Sequence, residues 1–327
     1  MALNNNTYLT FDIGGTKVAS ACVSFDMDGT YHVSHHDRIA TQAERGGADV
    51  LRRIVEFVGK RLEFAREEHI EISGIGIGSA GVVDSASGRI LTATDTMPGW
   101  AGSEVVAAIR ELPAAQNMPI YMVGDVGAHG LGESLCGVGR GYKGVLSIGI
   151  GTGIGGAVIS QGILHTGAHG VAGHVGHMTH PLGRGIMCSC GTRAGHIEPV
   201  ASGTGLATLY NVRREQELEL GVEVAANGAD VVHRMEQGEE FAQSVVAESA
   251  RALGECIAGM GNLIDPDIIV LSGSVTKAGK IWWNALRAGF EDSALPLVAQ
   301  TPVVEGILGD DAPLIGAATA IRKFINS

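Results

Sequence analysis

Aromatic side chains are scarce in this sequence, at 5% of 327 residues, while apolar residues make up 45%. A chain of that length and apolar share buries a sizeable core and fills one large domain or two medium ones. Basic residues are also few: 23 Lys and Arg stand against 35 Asp and Glu, a formal charge of −12. The basic stripe of a nucleic-acid surface is therefore not expected. A phosphorylated substrate is still compatible, because loops present backbone N–H groups locally. Apolar runs are short and broken by glycine, so no transmembrane helix is expected. Residues 1–10 lack a basic n-region and an apolar h-region, so no signal peptide is expected. The five cysteines, Cys22, Cys136, Cys188, Cys190 and Cys256, form a sparse, odd set. Such a set fits a reducing cytoplasm with no disulfide framework.

What the chain does have is glycine at patterned places. "TYLTFDIGGTKVASACVSFDMDGTYHVSHHDRIAT" reads as three strands, turned at Gly14-Gly15 and at "DMDG". From 47 to about 68 the pattern is helical, with Val50, Leu51, Ile54, Phe57 and Val58 on one face. "ISGIGIGSAGVVD" is a buried strand entering a glycine turn, and "SEVVAAIREL" is a helix capped by Ser103 and ended by Pro113. "PIYMVGDVGAHGLGES" reads as strand, turn, helix; "GVLSIGIGTGIGGAVISQGILHTG" as a strand and glycine hairpin. A long helix is expected over 239–263, then the strand "DIIVLSGS" and a closing helix "PLIGAATAIRKFI". The polar region 211–240, with Arg213, Arg214, Glu215, Glu217 and Glu219, reads as a solvated helix and loop. "TFDIGGTKVASACV" and "SIGIGTGIGGAVIS" are alike, which suggests two related α/β halves with a cleft between them.

The two glycine turns carry the first chemistry. In "DIGGTK", Asp12 ends a strand, and Gly14 and Gly15 allow a tight turn with outward N–H groups. Thr16 and Lys17 add a hydroxyl and a cation, so the turn suits phosphate oxygens while Asp12 faces magnesium. "GIGTGIGG" matches the dinucleotide fingerprint at Gly151, Gly153 and Gly156. That reading fails, because strand, turn and strand follow where a helix is required, and no acidic residue lies about 20 residues on. No Gly-Lys-Ser/Thr follows, which excludes a Walker loop. Two glycine hairpins on opposed halves are better explained as a pair of clamps on ATP phosphates, through Gly151, Thr152 and Gly153 in the second. Gly273, in "SGS" at the end of "DIIVL", stands where adenosine would lie outside a carboxyl strand end. Asp125, just past a strand, is placed to accept a proton from an attacking hydroxyl or to cap the next helix.

"DIGGTK", "GIGSAGVVD", "PGW" at 98–100, Asp125 with its helix, "GIGTGIGG", "GAHGVAGHVGHM", "CSCG" and "HIEPVASG" together resemble the sugar kinases of the ROK family (repressor, open reading frame, kinase), within the actin-like ATPase superfamily. In motif the chain is most similar to bacterial N-acetylmannosamine kinases and glucokinase-type members. The resemblance implies two actin-like (ribonuclease H-like) α/β domains around an active-site cleft. The smaller is expected over 1–124 plus 313–327, and the larger over 125–312. It implies Asp12 on magnesium, Thr16 and 151–153 on phosphates, and Asp125 as base on the sugar 6-hydroxyl. Gly81, Gly124, His174, His177 and Glu198 would line the sugar. Repressors of the family carry a helix-turn-helix before "DIGGT"; about ten residues precede it here, so DNA binding is not expected. ATP and a sugar are the expected partners, in a cytoplasmic homo-oligomer, a dimer by resemblance, with no membrane partner.

The stretch 170–199 packs four histidines and two cysteines together. By resemblance His177, Cys188 and Cys190 bind a structural zinc within the segment 174–198. The family's third cysteine is replaced by His196 one residue later, giving a Cys₂His₂ set suited to tetrahedral zinc. His174 and His180 compete for the fourth place. Two further departures bear on the sugar: Gly124 stands where the family has Asn, and His174 where it has Glu. A neutral imidazole both donates and accepts a hydrogen bond, unlike a carboxylate. The His174 pattern resembles that of bacterial N-acetylmannosamine kinases, so the resemblance implies N-acetylmannosamine, with glucose or N-acetylglucosamine as alternatives. The same departures suggest a rival of another class, a sugar-binding protein with impaired catalysis.

Overall fold

The computed structural model describes residues 6–94, 96–216 and 221–327. Glu217 and Glu219 of the polar region, and the first five residues of the N-terminal stretch, lie outside them. The chain divides into two compact units. One takes the chain up to Gly141 with Gly162–Ala172 and Ile307–Ser327, and the other takes Tyr142–Gln161 and Gly173–Gly306.

In the first unit, β1 (Asn6–Ile13), β2 (Lys17–Phe25) and β3 (Tyr31–Ala40) form the expected antiparallel meander. β4 (Ile72–Ser79) lies parallel to β1. The small hairpin β5 (Val82–Asp84) and β6 (Arg89–Thr92) intervenes before β7 (Ile120–Gly124), which adds parallel to β4. The order is β3-β2-β1-β4-β7. Alternation along β1 divides its side chains: Leu9, Phe11 and Ile13 enter the core that α1 (Gly47–Glu67) closes with Val50, Ile54, Phe57 and Val58. Tyr8 enters a second cluster with Val23, Phe25 and Ile321. Each fully buried side chain of this size contributes about 1.5–3 kcal/mol.

α2 (Val105–Arg110) begins after Glu104, not under a Ser103 cap; neither residue makes a side-chain capping bond. α3 (Asp125–Leu135) follows β7 with no intervening turn, so Asp125 is its first residue and Gly124 its N-cap. This helix belongs to the first unit, although the strand-to-helix boundary at 125 suggested the start of the larger domain. Its glycines explain the placement. A Cβ on Gly132 would lie 2.2 Å from the Ala312 carbonyl oxygen, and one on Gly316 only 1.7 Å from that of Ala128. α3 and the closing helix α9 (Ala312–Ile325) therefore touch backbone to backbone. α9 also lies against β4, where a Cβ on Gly76 would come 2.3 Å from the Ala317 oxygen.

In the second unit, β8 (Gly144–Ile150) and β9 (Ile154–Ser160) form the second glycine hairpin. The short strand β10 (Ile163–Leu164) falls in the 162–172 piece of the first unit. β11 (Ile268–Ser272) and β12 (Val303–Glu305) add parallel to β8, giving β9-β8-β11-β12. This kernel matches β2-β1-β4-β7, a hairpin followed by two parallel strands, as the likeness of the two glycine stretches suggested. Around it pack α4 (Glu198–Ala201), α5 (Gly203–Gln216), α6 (Gly228–Glu236), α7 (Glu240–Ile264) and α8 (Lys280–Ser293). Leu146, Ile148, Leu206, Tyr210, Val246, Leu253, Trp282 and Leu286 belong to their common core. Among the described residues no helix is long and apolar enough to cross a membrane.

Candidate active site

Three parallel strands bring two carboxylates together in the first unit. Asp12 stands at the end of β1 in register with Gly78 of β4, while Gly124 at the end of β7 pairs with Ser79. Gly78 lies between the acids: its Cβ would sit 3.8 Å from Asp12 Oδ1 and 3.8 Å from the Asp125 Cα. Burial pushes the Asp125 carboxyl up to about 6, although the Val126 N–H donates to its Oδ1 at 2.8 Å. Burial, reinforced by the negative charge of Asp125, pushes Asp12 up to about 7. Lys17 opposes that shift. Both acids therefore titrate in the range where a base or a metal-assisting carboxylate is useful.

The turn after Asp12 is tight and pinned. The Gly14 N–H donates to the Lys17 carbonyl at 3.0 Å, and the Thr41 hydroxyl donates to the Gly14 carbonyl at 2.6 Å. Gly15 lies beside Thr96, and Thr16 is exposed. Lys17 pairs with Asp310 at 3.1 Å. Gly81, at φ 94°, is the turn after β4; a Cβ there would come 2.6 Å from the Thr92 carbonyl oxygen. Gly124 has ordinary extended backbone, and the nearest atom to a Cβ there is the Gly81 oxygen at 3.9 Å. The backbone does not require glycine at 124, and its absent side chain leaves space beside Asp125.

In the second unit the turn Gly151-Thr152-Gly153 is held on two sides. Gly203 N–H donates to the Gly151 carbonyl at 2.7 Å, and the Thr204 hydroxyl to the Thr152 carbonyl at 2.8 Å. Beyond the turn opens a groove of about 470 Å³, lined in part by Thr152, Thr204, Thr208, Asn227 and Ser274. Asn211 braces its wall by exchanging two hydrogen bonds with Ala225. Gly273 has φ 108°, and a Cβ there would meet the Ile150 carbonyl oxygen at 2.4 Å. β11 can thus lie close against the strand feeding the turn. Thr204 and Asn227 were missed in the sequence because each resembles an ordinary cap or loop residue.

Glu198 opens α4 and reaches back to the same turn, accepting the Ile154 N–H at 2.9 Å. Beside it, the ligand atoms of His177, Cys188, Cys190 and His196 all lie within 4.8 Å of one another. Cys188 Sγ is 3.5 Å from His177 Nδ1, and Cys190 Sγ is 3.7 Å from His196 Nδ1. A tetrahedron with zinc–ligand arms of about 2.0–2.3 Å has edges of roughly 3.3–3.8 Å, so the donor set fits that ion. His196 supplies the fourth donor of this group. His180 is engaged elsewhere, with Glu255 at 3.0 Å and the Leu182 N–H at 3.2 Å. His174 is exposed and outside the group, its ring centroid 6.1 Å from that of His177. Burial lowers the His177 pKa and raises that of Cys188, whereas hydrogen bonds from Thr192 bring Cys190 down to about 6.

A family model described as "ROK family" matches residues 8–323, nearly the whole chain. The chain belongs to the ROK family. It is 31% identical to a glucokinase of Halalkalibacterium halodurans, over 99% of this chain and 98% of that one. It is 30% identical to an N-acetylmannosamine kinase of Yersinia pseudotuberculosis, over 97% and 99%. Among solved structures, a ROK family glucokinase from Streptomyces griseus in complex with glucose and AMPPNP is similar at TM-score 0.76 and 27% identity, covering 97% of this chain and 100% of that one. Within this ROK chain Gly78 carries no signal of its own in the sequence. Only the strand order shows it to be the spacer between Asp12 and Asp125.

Proposed function

We propose that this ATP-dependent sugar kinase transfers the γ-phosphoryl group to the 6-hydroxyl of a hexose or N-acetylhexosamine, with Asp125 as the base. The observation that carries the reading is the Asp12–Gly78–Asp125 arrangement, two carboxyls whose pKa values are raised by burial, at the ends of β1 and β7 with β4 between them. Asp125 takes the 6-hydroxyl proton as that oxygen attacks the γ-phosphorus in line, and ADP leaves. Asp12 assists the magnesium that accompanies ATP, which supplies charge neutralisation on the β- and γ-phosphates. The turns at Gly14–Thr16 and 151–153 offer N–H groups to phosphate oxygens, and Lys17 adds a cation beside the first. The groove from Thr152 to Ser274, next to Gly273, receives the nucleoside. His177, Cys188, Cys190 and His196 would hold a structural zinc, because four protein ligands leave no open position for water. All five cysteines are free, which supports a cytoplasmic setting.

Glu198, with Gly81, Gly124, His174 and His177, is read as the sugar side of the site. His174 favours N-acetylmannosamine: it stands free of the metal group and can donate to an acetamido carbonyl. Glucose is the second reading, supported by relatives named glucokinase. A coupled ADP-release assay over hexoses and N-acetylhexosamines tests both, with His174→Glu beside the wild type. N-acetylmannosamine should give the highest kcat/KM, and His174→Glu should shift the ratio toward glucose by about tenfold, the effect of one mispaired polar group. Equal loss for both sugars would remove His174 from the specificity. Turnover of none of them would favour a sugar-binding protein without kinase activity.

A further inference from the structure

Both oxygens of Glu198 are occupied from opposite directions. Oε2 accepts the Ile154 N–H at the glycine turn, at 2.9 Å. Oε1 accepts the hydroxyl of Ser189. Ser189 is the residue between Cys188 and Cys190, and its backbone is confined by the knuckle they form. In that knuckle the Cys188 N–H donates to the Arg193 carbonyl, and the Gly191 N–H to the Cys188 carbonyl. The thiol of Cys188 itself stands 3.8 Å from the same Oε1. Around Oε2 the chain supplies glycine: a Cβ at Gly153 would fall 2.7 Å from this oxygen, and one at Gly176 3.2 Å. The carboxylate is therefore steered by two directed hydrogen bonds and a longer thiol contact, and glycine at 153 and 176 keeps a Cβ away from Oε2. Of these two bonds, only that from Ser189 comes from a side chain, and it originates inside the Cys/His group.

We propose that Ser189 is a positioning residue, which transmits the order of the Cys/His group to the Glu198 carboxylate and so sets affinity for the sugar. The proposal rests on the reading of Glu198 as a sugar ligand. Without the Ser189 hydroxyl, Glu198 keeps the Ile154 bond on Oε2 and only the long contact of the Cys188 thiol, at 3.8 Å, on Oε1, so its plane is less firmly held. A ligand that must be met by both oxygens then encounters a misaligned partner. The Ile154 bond, by which Glu198 touches the glycine turn on the nucleotide side, is kept.

The experiment uses Ser189→Ala, Ser189→Thr and Glu198→Ala in the full chain, each checked for metal content by elemental analysis and for melting temperature. N-acetylmannosamine and glucose are titrated calorimetrically without nucleotide, and KM for both substrates is measured with kcat. Ser189→Ala should weaken binding of the better sugar about tenfold to a hundredfold, the range for losing a hydrogen bond to a charged group. KM for ATP should stay within about twofold and zinc content should be unchanged, because the Ile154 bond to the turn and all four donor side chains of the Cys/His group are kept. Ser189→Thr, which keeps the hydroxyl, should restore most of the loss. Wild-type sugar affinity in Ser189→Ala, with Glu198→Ala defective, overturns the proposal alone. Normal sugar affinity in Glu198→Ala overturns the assignment of Glu198 and the proposal with it. Loss of zinc together with affinity in Ser189→Ala also overturns it, since the effect would then run through the metal.

Discussion

At the scale of single residues, the decisive feature is that two acids share one strand-end neighbourhood and neither keeps its ordinary pKa. Both rise from 3.8, Asp125 to about 6 and Asp12 to about 7. In the folded chain they retain protons that the unfolded chain has released, so raising the pH through this window lowers stability. Catalysis has the opposite sign, because the base must be ionised. The kcat/KM for sugar should fall on the acid side with a midpoint near 6 at saturating magnesium. At low magnesium the limb should move upward toward the value of Asp12, whose ionisation then has to be won without the metal. Asp125→Asn keeps the size but removes the proposed base, and kcat should drop on the order of 10²–10⁴-fold, while melting at neutral pH should not fall, because a buried carboxylate is replaced by a neutral amide. Near wild-type turnover in that variant, or a limb that ignores magnesium, would refute the two roles. Asp12 and Asp125 could be singled out in the sequence because each stands at the end of an apolar strand beside glycine, where a ligand can approach. Gly78 and Ser189 could not, since a glycine or a serine has meaning only once its neighbours in space are known.

At the scale of elements, glycine decides which segments approach. The hairpins at Gly14–Gly15 and 151–153 were legible because apolar strands flank glycine pairs at hairpin spacing. The junction of α3 and α9 was not, because the contact joins Gly132 and Gly316, far apart in the chain. A segment that starts like a new βα unit at 125 is thereby drawn back to the first unit. Gly316→Ala tests this junction. Its methyl would lie 1.7 Å from the Ala128 carbonyl oxygen, one turn from Asp125, and backbone rather than a flexible side chain must move. Overpacking of this kind costs about 1–3 kcal/mol or more. Melting should fall by several degrees, and kcat should fall further than the folded fraction explains, because α3 carries Asp125, the proposed base. Gly221→Ala is the control, as nothing among the described residues lies within 4 Å of its added methyl. A Gly316→Ala protein as stable and active as wild type would show that the two helices yield without consequence.

At the scale of the whole molecule, two units with separate cores are expected to melt and open independently rather than as one two-state body. The larger core of Leu146, Tyr210, Val246 and Trp282 lies wholly in the second unit, and that of Phe11, Ile54 and Ile77 wholly in the first. The Cys/His group belongs to the second unit alone, so a metal bound there should protect that unit selectively. Purified protein should contain about one zinc per chain, as a single four-ligand site requires. A strong chelator should then expose the amides that the group ties down to hydrogen exchange: Ile197, bonded to the Met178 carbonyl, His180, bonded to Gly195, and Cys188, bonded to Arg193. Metal binding is coupled to local folding, so those amides lose protection when ligands are no longer held together. Amides of β1 and β4, in the first unit, should exchange as before. Cys188→Ser with Cys190→Ser should reproduce this pattern without chelator and lower the melting of the second unit. Protection unchanged after the metal is stripped would remove zinc from the structure's support. Loss spread evenly over both units would instead mean that the chain opens as a single body, contrary to the separation of its cores.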